Sequence, residues 1–343
     1  MQPPVAIDAR AAMRPELGGV ERWARELVAR LPSLRPGGYA ALRPPPGMAH
    51  RAGHAWEQLV LPALAARAPA LLCPANLAPA AARNVVLILH DAAVLRHPGW
   101  YSPLYAAWQR ALLPVLARRA RRVITVSEFA RAELRALLGV DADVVPGGVG
   151  EALTPDADPA PARAALGLER PYVLTVGSLT ARKNLGALVP AARALAAQGV
   201  DVVVAGGGRP QFAAEEGLDG LRMPGAVPDW LLPGLYAGAE AFVLPSRYEG
   251  FGLPALEAMA AGTPVVATDA AALPETCGGA ARLVAPEPEP LREALQDLLG
   301  DPAERARLRA AGQRRAAEFT WERTACGVDA VVAAVAGFAR RAP

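Results

Sequence analysis

Short apolar runs alternate with amphipathic stretches twice over in this chain, and that alternation restricts the fold more than any other feature. In the first half, residues 5–8 (VAID), 84–90 (NVVLILH) and 123–127 (VITVS) predict strands. Residues 19–31, 104–121 and 128–138 predict helices between them. Strands that alternate with helices form βαβ units, and these build parallel sheets. The Pro- and Ala-rich text TPDADPAPARAALG, 154–167, then interrupts the pattern as a linker that could open a short helix. It restarts with strands at 172–177, 201–206, 241–245 and 264–268. With 343 residues the chain is long enough for two domains of about 150 each. The expected architecture is α/β, with two Rossmann-like doubly wound domains facing a cleft. Their expected bounds are 1–153 and 169–320, joined by a linker at 154–168, with a closing helix over 321–343.

Composition narrows the class. Hydrophobic residues at 52% and charged residues at 20% are globular values. Cys73, Cys277 and Cys326 show no C-x-x-C spacing, which argues for a reducing compartment without disulfides or a zinc knuckle. The opening MQPPVAIDAR is unlike a signal peptide, and no run reaches the roughly 18 apolar residues of a membrane span. A cytoplasmic protein is the expectation, with peripheral contact at the inner membrane face as a further one. Residues 1–150 carry 18 Arg against 10 Asp+Glu, or +8, whereas 151–343 carry 18 Lys+Arg against 23 Asp+Glu, or −5. A basic half joined to an acidic half predicts either an anionic partner for the first domain or solvated helix faces. No nucleic-acid partner is expected.

Four places carry candidate chemistry, each outside the carboxyl end of a predicted strand, where open parallel sheets bind ligands. SLTARKNLG, 178–186, holds Arg182 and Lys183, the latter the only lysine beside 35 arginines. The two cations precede a helix predicted from about Asn184, whose free N–H groups favour an anion, so a phosphate or diphosphate site is predicted; a surface pair beside a turn is the plainer reading. PSRYEGFGLPALEAMAAGTPVVAT, 245–268, sets Glu249 in a loop and Glu257 in a helix entered through Pro254 and ended by Gly262. Two carboxylates at one strand end suit a polyhydroxylated ligand, unless Glu257 faces solvent. ELGGVERW, 16–23, offers Gly18 and Gly19 for close backbone approach or for an ordinary turn. His90-Asp91 ends the run NVVLIL, as a site histidine or a turn histidine.

Weaker patterns surround these. Asp141-Ala-Asp143 and Asp156-Ala-Asp158 fit D-x-D, and His50 and His54 have i,i+4 spacing without the glutamate of HExxH, so no metal site is expected. Tyr101, Tyr105 and Trp108 fall on one predicted helix face near Arg110, Arg118, Arg119, Arg121 and Arg122, a face for core packing or for a membrane. Pro190 predicts a kink in the helix after the phosphate loop. No G-x-G-x-x-G follows 5–8 or 172–177, which disfavours a dinucleotide-dependent dehydrogenase.

Taken together, these segments resemble the retaining glycosyltransferases of family 4, the bacterial mannosyltransferase-like group 1 enzymes. YEGFGLPALEAMAAGTPVV resembles their E-x7-E signature, and VGSLTARKNLGALV their nucleotide-sugar phosphate loop. IDARAAMRPELGGVERW, AWEQLVLPAL, ILHDAAVLRHPGWY, ITVSEFARAEL, VVPGGV and FTWERTA match successive further segments. One departure is Ser178, where many members carry Arg after the first glycine of the loop. The resemblance implies the B-type glycosyltransferase fold, whose closing helix returns to the N-terminal domain. It implies that Arg182 and Lys183, with Gly18 and Gly19, bind a donor diphosphate. It further implies that Glu257 meets the ribose, and that Glu249 with the amides of Phe251, Gly252 and Leu253 holds the donor sugar and its phosphate. His90 would sit against the sugar. The implied partners are a nucleotide-sugar donor, with GDP-mannose favoured over UDP-sugars, and a glycan, lipid-linked or small-molecule acceptor. No cofactor or metal is implied. A sugar-nucleotide epimerase, a sugar phosphorylase and a non-catalytic sugar-nucleotide-binding module are the rival expectations.

Overall fold

The computed structural model describes residues 3–14, 18–46, 48, 53–208, 212, 215 and 217–338. Glu16, Leu17 and His50 therefore lie outside the described residues. Two compact units emerge: residues 1–96, 106–148 and 321–343 form one, and residues 97–105 with 149–320 form the other.

Among the described residues the first unit holds six parallel strands: β1 (Val5–Asp8), β2 (Tyr39–Leu42), β3 (Leu71–Cys73), β4 (Val85–Ile88), β5 (Arg122–Thr125) and β6 (Asp143–Val144). Their order is β2-β1-β3-β4-β5-β6, so the winding reverses between β1 and β3. β1 and β4 are buried at every position, the pattern of strands covered on both faces. The second unit holds β7 (Tyr172–Val176), β8 (Asp201–Ala205), β9 (Arg222–Gly225), β10 (Ala241–Leu244), β11 (Val265–Thr268) and β12 (Arg282–Val284), again all parallel. Their order, β12-β11-β10-β7-β8-β9, reverses between β7 and β10. Each unit is a doubly wound Rossmann-like layer, and each reversal opens a crevice at the carboxyl ends of its strands.

The Pro- and Ala-rich linker opens a short helix, Ala160–Leu166, entered through Pro161 and stopped by Gly167 at φ 62°. Other features differ from the sequence expectation. Pro190 does not kink its helix. The chain passes through a tight turn of helix, Leu185–Leu188, and the α-helix begins only at Val189, which puts Pro190 in the first turn, where no amide hydrogen is needed. Residues 97–105, expected in the N-terminal domain, belong to the second unit. Tyr101 lies before the helix Pro103–Arg119 and so is not on its face, whereas Tyr105 and Trp108 lie one turn apart within it, and Trp108 packs edge-on to His54 at 5.1 Å.

The helix Trp321–Ala336 packs in the first unit through specific contacts. Trp321 meets Trp23 edge to face at 5.7 Å, and Gly327 admits Val145, whose Cγ1 would lie 2.9 Å from a Cβ there. Asp329 is the polar anchor. Its carboxylate accepts from Arg35 Nε at 3.0 Å, Arg35 Nη2 at 2.8 Å and the Tyr39 hydroxyl at 2.7 Å. Asp329→Asn keeps the shape but removes the charge from this fork. Urea titration is expected to show a loss of about 1.5–3 kcal/mol, the worth of hydrogen bonds to a charged group.

Candidate functional site

In the second unit, the carboxyl ends of β7 and β8, beside the crevice, meet through backbone with no room for a side chain. A Cβ on Gly206, just past β8, would stand 1.8 Å from the carbonyl oxygen of Gly177, just past β7. A Cβ on Gly177 would stand 2.8 Å from Lys183 Cε. The two glycines let the strand ends touch, and the lysine stem lies in the space they leave. The turn that brings it there, Ala181–Lys183, ends at Asn184 with φ 55°. The Asn184 amide nitrogen ties this turn to the far side of the crevice by donating to Pro245 O at 3.0 Å and Pro286 O at 2.8 Å.

Glu249 sits at the meeting point. Lys183 Nζ donates to its Oε1 at 2.6 Å, Arg182 Nη1 to its Oε2 at 2.8 Å, and Ser246 Oγ to Oε1 at 2.8 Å. Arg182 Nη1 also donates to the carbonyl of Tyr248 at 2.9 Å, and the Arg247 amide donates back to Arg182 O at 3.0 Å. Lys183 is 6% exposed and Glu249 also 6%, so neither charge is balanced by water alone. Burial would raise the Glu249 pKa, but the charges of Arg182 and Lys183 overcome it and hold the group at about 2. Burial lowers the pKa of Lys183, opposed by Glu249. Two cations against one carboxylate leave the cluster with one net positive charge.

The remaining expected residues of this unit gather around the same crevice. Gly252 has φ 99°, and a Cβ there would come 2.6 Å from Leu273 Cδ2, so only glycine fits the turn into the helix Leu253–Ala260. Phe251 and Leu253 flank it, and the Phe251 carbonyl accepts from Thr276 Oγ1. Glu257 is buried rather than facing solvent, and accepts from the Tyr236 hydroxyl at 2.8 Å.

The amides that open the turn after Asn184 are not offered to an anion, because Glu215 takes them: Leu185 N donates to its Oε2 at 2.9 Å and Gly186 N to its Oε1 at 2.7 Å. A carboxylate from the chain itself satisfies the site that sequence reading assigned to phosphate. The anion-attracting groups are thus Lys183 and Arg182 rather than that helix end.

His90, Gly18 and Gly19 belong to the first unit. His90 is 8% exposed; its Nε2 bonds Pro74 O at 2.8 Å, its amide donates to Asn76 Oδ1 at 2.7 Å, and Trp23 meets the ring edge-on at 5.3 Å. Since a carbonyl only accepts, Nε2 carries the proton and Nδ1 is the acceptor nitrogen of the neutral ring. Burial lowers its pKa, against the opposing effect of the Pro74 bond. Gly18 is not available as assigned, because its amide donates to Glu21 Oε2 at 3.0 Å in a local cap. Gly19 stands open, with nothing within 4 Å of a Cβ.

Three of the four D-x-D carboxylates are engaged elsewhere. Asp143 is paired with Arg122, Asp141 with Arg131, and Asp158 accepts from the Ala160 amide. Sequence reading missed a buried ion pair at the reversal between β1 and β3, where Arg10 Nε donates to Glu57 Oε2 at 2.7 Å. Burial pushes the Glu57 carboxyl up to about 7, against the charge of Arg10. The two residues stand 47 apart, and no local pattern marks such a pair.

Comparison with known proteins bears directly on these crevices. The family model described as Glycosyltransferase Family 4 matches residues 15–152, and that described as Glycosyl transferases group 1 matches residues 170–301. The O-antigen chain mannosyltransferase B of Escherichia coli is 30% identical over 259 residues, covering 70% of this chain and 67% of its own length. The chain belongs to the group 1 glycosyltransferases of the family 4 type. An MMP α-(1→4)-mannosyltransferase of Mycolicibacterium hassiacum is 45% identical over 127 residues, but this alignment spans only 35% of this glycosyltransferase and 31% of the relative. Among solved structures, sucrose-phosphate synthase from Thermosynechococcus elongatus superposes with a TM-score of 0.75 at 22% identity, over 96% of this chain and 98% of that one. At that identity the likeness concerns the fold, two Rossmann-like layers of the B type.

Because Glu249 is held near 2 against an ordinary 4.5, the stability it confers is present above pH 4.5 and lost as pH falls toward 2. In acid titrations followed by circular dichroism, Glu249→Gln is expected to be less stable at neutral pH and to lack this slope, which amounts to about 3 kcal/mol in the wild type.

Proposed function

We propose that this glycosyltransferase retains anomeric configuration and moves a hexose, mannose from GDP-mannose, to a hydroxyl of a glycan or lipid-linked acceptor. The observation that carries the reading is the single carboxylate of Glu249 holding Lys183 and Arg182 together at the crevice of the second sheet. When the bond from sugar C1 to the diphosphate breaks, negative charge grows on the departing oxygen. Fixed cations aimed there stabilise that state by about 2.7–4 kcal/mol per well-placed donor. Lys183 and Arg182 supply the positive charge, so activity is expected to need no metal. Lys183 suits the narrow space beside Gly177, where a compact ammonium fits and a planar guanidinium is wider.

The assigned role of Glu249 is to orient the cations and accept from the donor sugar. Its oxygens already accept from Lys183, Arg182 and Ser246, and its low pKa makes it a weak base. Both features disfavour a covalent glycosyl-enzyme and support attack from the face the leaving group departs. In this scheme Glu257 takes the ribose hydroxyls, the backbone at Phe251–Leu253 holds the donor phosphate, Gly19 approaches the diphosphate, and His90 sits against the sugar.

Support for mannose comes from the two relatives above, each named a mannosyltransferase. Membrane contact is assigned to the first unit, which exposes Leu59, Val60 and Leu64 as well as Arg118 and Arg119. No helix among the described residues is long and apolar enough to cross a membrane.

Calorimetric titration of GDP and UDP into wild type and Lys183→Arg tests the donor site. GDP is expected to bind in preference to UDP, and the variant to lose about 1.5–3 kcal/mol. Unchanged binding in the variant would remove Lys183 from the site. With GDP-mannose and an acceptor, nuclear magnetic resonance should show an α-linked product, and nucleoside diphosphate release should depend on acceptor. An epimerised sugar nucleotide, release without transfer, or a hexose adduct on the protein by mass spectrometry would each overturn the scheme.

A further inference from the structure

Residues 97–105 are flanked in sequence by the first unit on both sides, yet belong to the second. What seats them there is aromatic. His97 stacks on Trp100 with ring centroids 4.0 Å apart and planes 28° apart. Both rings then meet Tyr248 edge-on, His97 at 5.9 Å and Trp100 at 6.3 Å. Nearby in sequence, Tyr101 stacks on Tyr105 at 5.8 Å and bridges to Phe212, whose ring lies 5.3 Å away. The chain has only 6 Trp, 6 Tyr and 6 Phe, and five of these 18 rings lie in these contacts. A concentration of that kind beside the cation cluster calls for a role.

Tyr248 is the link. It is 3% exposed, its carbonyl accepts from Arg182 Nη1 at 2.9 Å, and the residue after it is Glu249. The same Arg182 nitrogen is thus held by two consecutive residues, one through its main chain and one through its side chain. Any shift of the Tyr248 ring tilts the peptide that carries both acceptors. Aromatic edge-to-face pairs have preferred geometries, so two rings against one tyrosine restrict such a shift.

We infer that His97 and Trp100 are positioning residues for the donor site: pressed against Tyr248, they fix the carbonyl and carboxylate that aim Arg182. They touch no reacting atom. Their effect on ligand passes through Arg182 and is absent when Arg182 is absent. This rests on the reading of the crevice as a nucleoside diphosphate site. It also explains why a segment from the N-terminal half of the chain packs with the C-terminal layer: the cation cluster is finished by rings that its own half of the sequence does not supply.

The test is a double-mutant cycle read by calorimetric titration of whichever nucleoside diphosphate the wild type binds, GDP or UDP. The proteins are wild type, Trp100→Ala, Trp100→Phe, Arg182→Gln and the double variant Trp100→Ala/Arg182→Gln. Trp100→Ala is expected to weaken binding about threefold to tenfold, and Trp100→Phe to restore most of that. In the Arg182→Gln background, the same truncation is expected to change nothing further. Equal losses in both backgrounds would mean that the rings act on ligand or on stability directly, and would overturn the inference. So would a Trp100→Ala protein that binds as wild type does. Should that variant fail to fold, His97→Ala, which leaves Trp100 in place, takes its position in the cycle with the same expectation. A wild type that binds neither nucleotide would overturn the diphosphate reading itself, and this inference with it.

Discussion

A lysine ammonium that is 6% exposed needs an anion within contact distance, and in this glycosyltransferase that anion is Glu249. The ion pair depends on two backbone facts. Gly177 leaves room for the lysine stem, and Gly206 lets the β8 end close on the β7 end. It also depends on Asn184, which ties the lysine's turn to the loops after β10 and β12. Replacing the carboxylate would leave a buried charge uncompensated, which is far more costly than losing a surface pair. In the proposed scheme Glu249 therefore serves stability and donor binding with the same contacts.

The parallel sheets explain why this cluster lies where it does. In a doubly wound layer all strands point the same way, so every carboxyl-end loop opens on one edge, and the winding reversal leaves a gap between neighbouring loops. The loops after β7 and β10 are neighbours only because β10 crosses to the far side of β7. Arg182 and Glu249 are 67 residues apart in sequence and 2.8 Å apart in space for that reason. The first layer makes the equivalent use of its reversal, with Arg10 and Glu57 buried beside β1.

Much of this was legible in the sequence, and the failures have physical causes. Strands β1, β4, β5, β7, β8, β10 and β11 are continuous apolar runs, since both faces are covered, and each appeared as such. The helix Glu128–Leu138 begins at a Ser127 cap and stops at Gly139 with φ 69°, both visible as residue types. β3, β6 and β12 have only two or three residues, and β2 and β9, though four long, lie in Ala-, Pro- or Arg-bearing text, so no apolar run announces any of them. A kink at Pro190 is what local sequence predicts, because the helical pattern runs back to Asn184; the tight turn that displaces the helix start depends on Asn184, whose left-handed conformation is held by distant carbonyls. Glu215 escaped notice because nothing local marks a side chain that caps a helix 30 residues away.

The sequence by itself determined the layer type, the two-fold repetition of that layer, and the residue kinds able to handle an anion and a polyol. These follow from periodicity and from the chemistry of side chains, which are local properties. Only the tertiary structure decided which amides are already taken, which carboxylate is shared between cations, and to which unit residues 97–105 belong. Those outcomes depend on partners tens of residues away, brought within 3 Å by the winding of the sheets, and no window of sequence contains both members of such a pair.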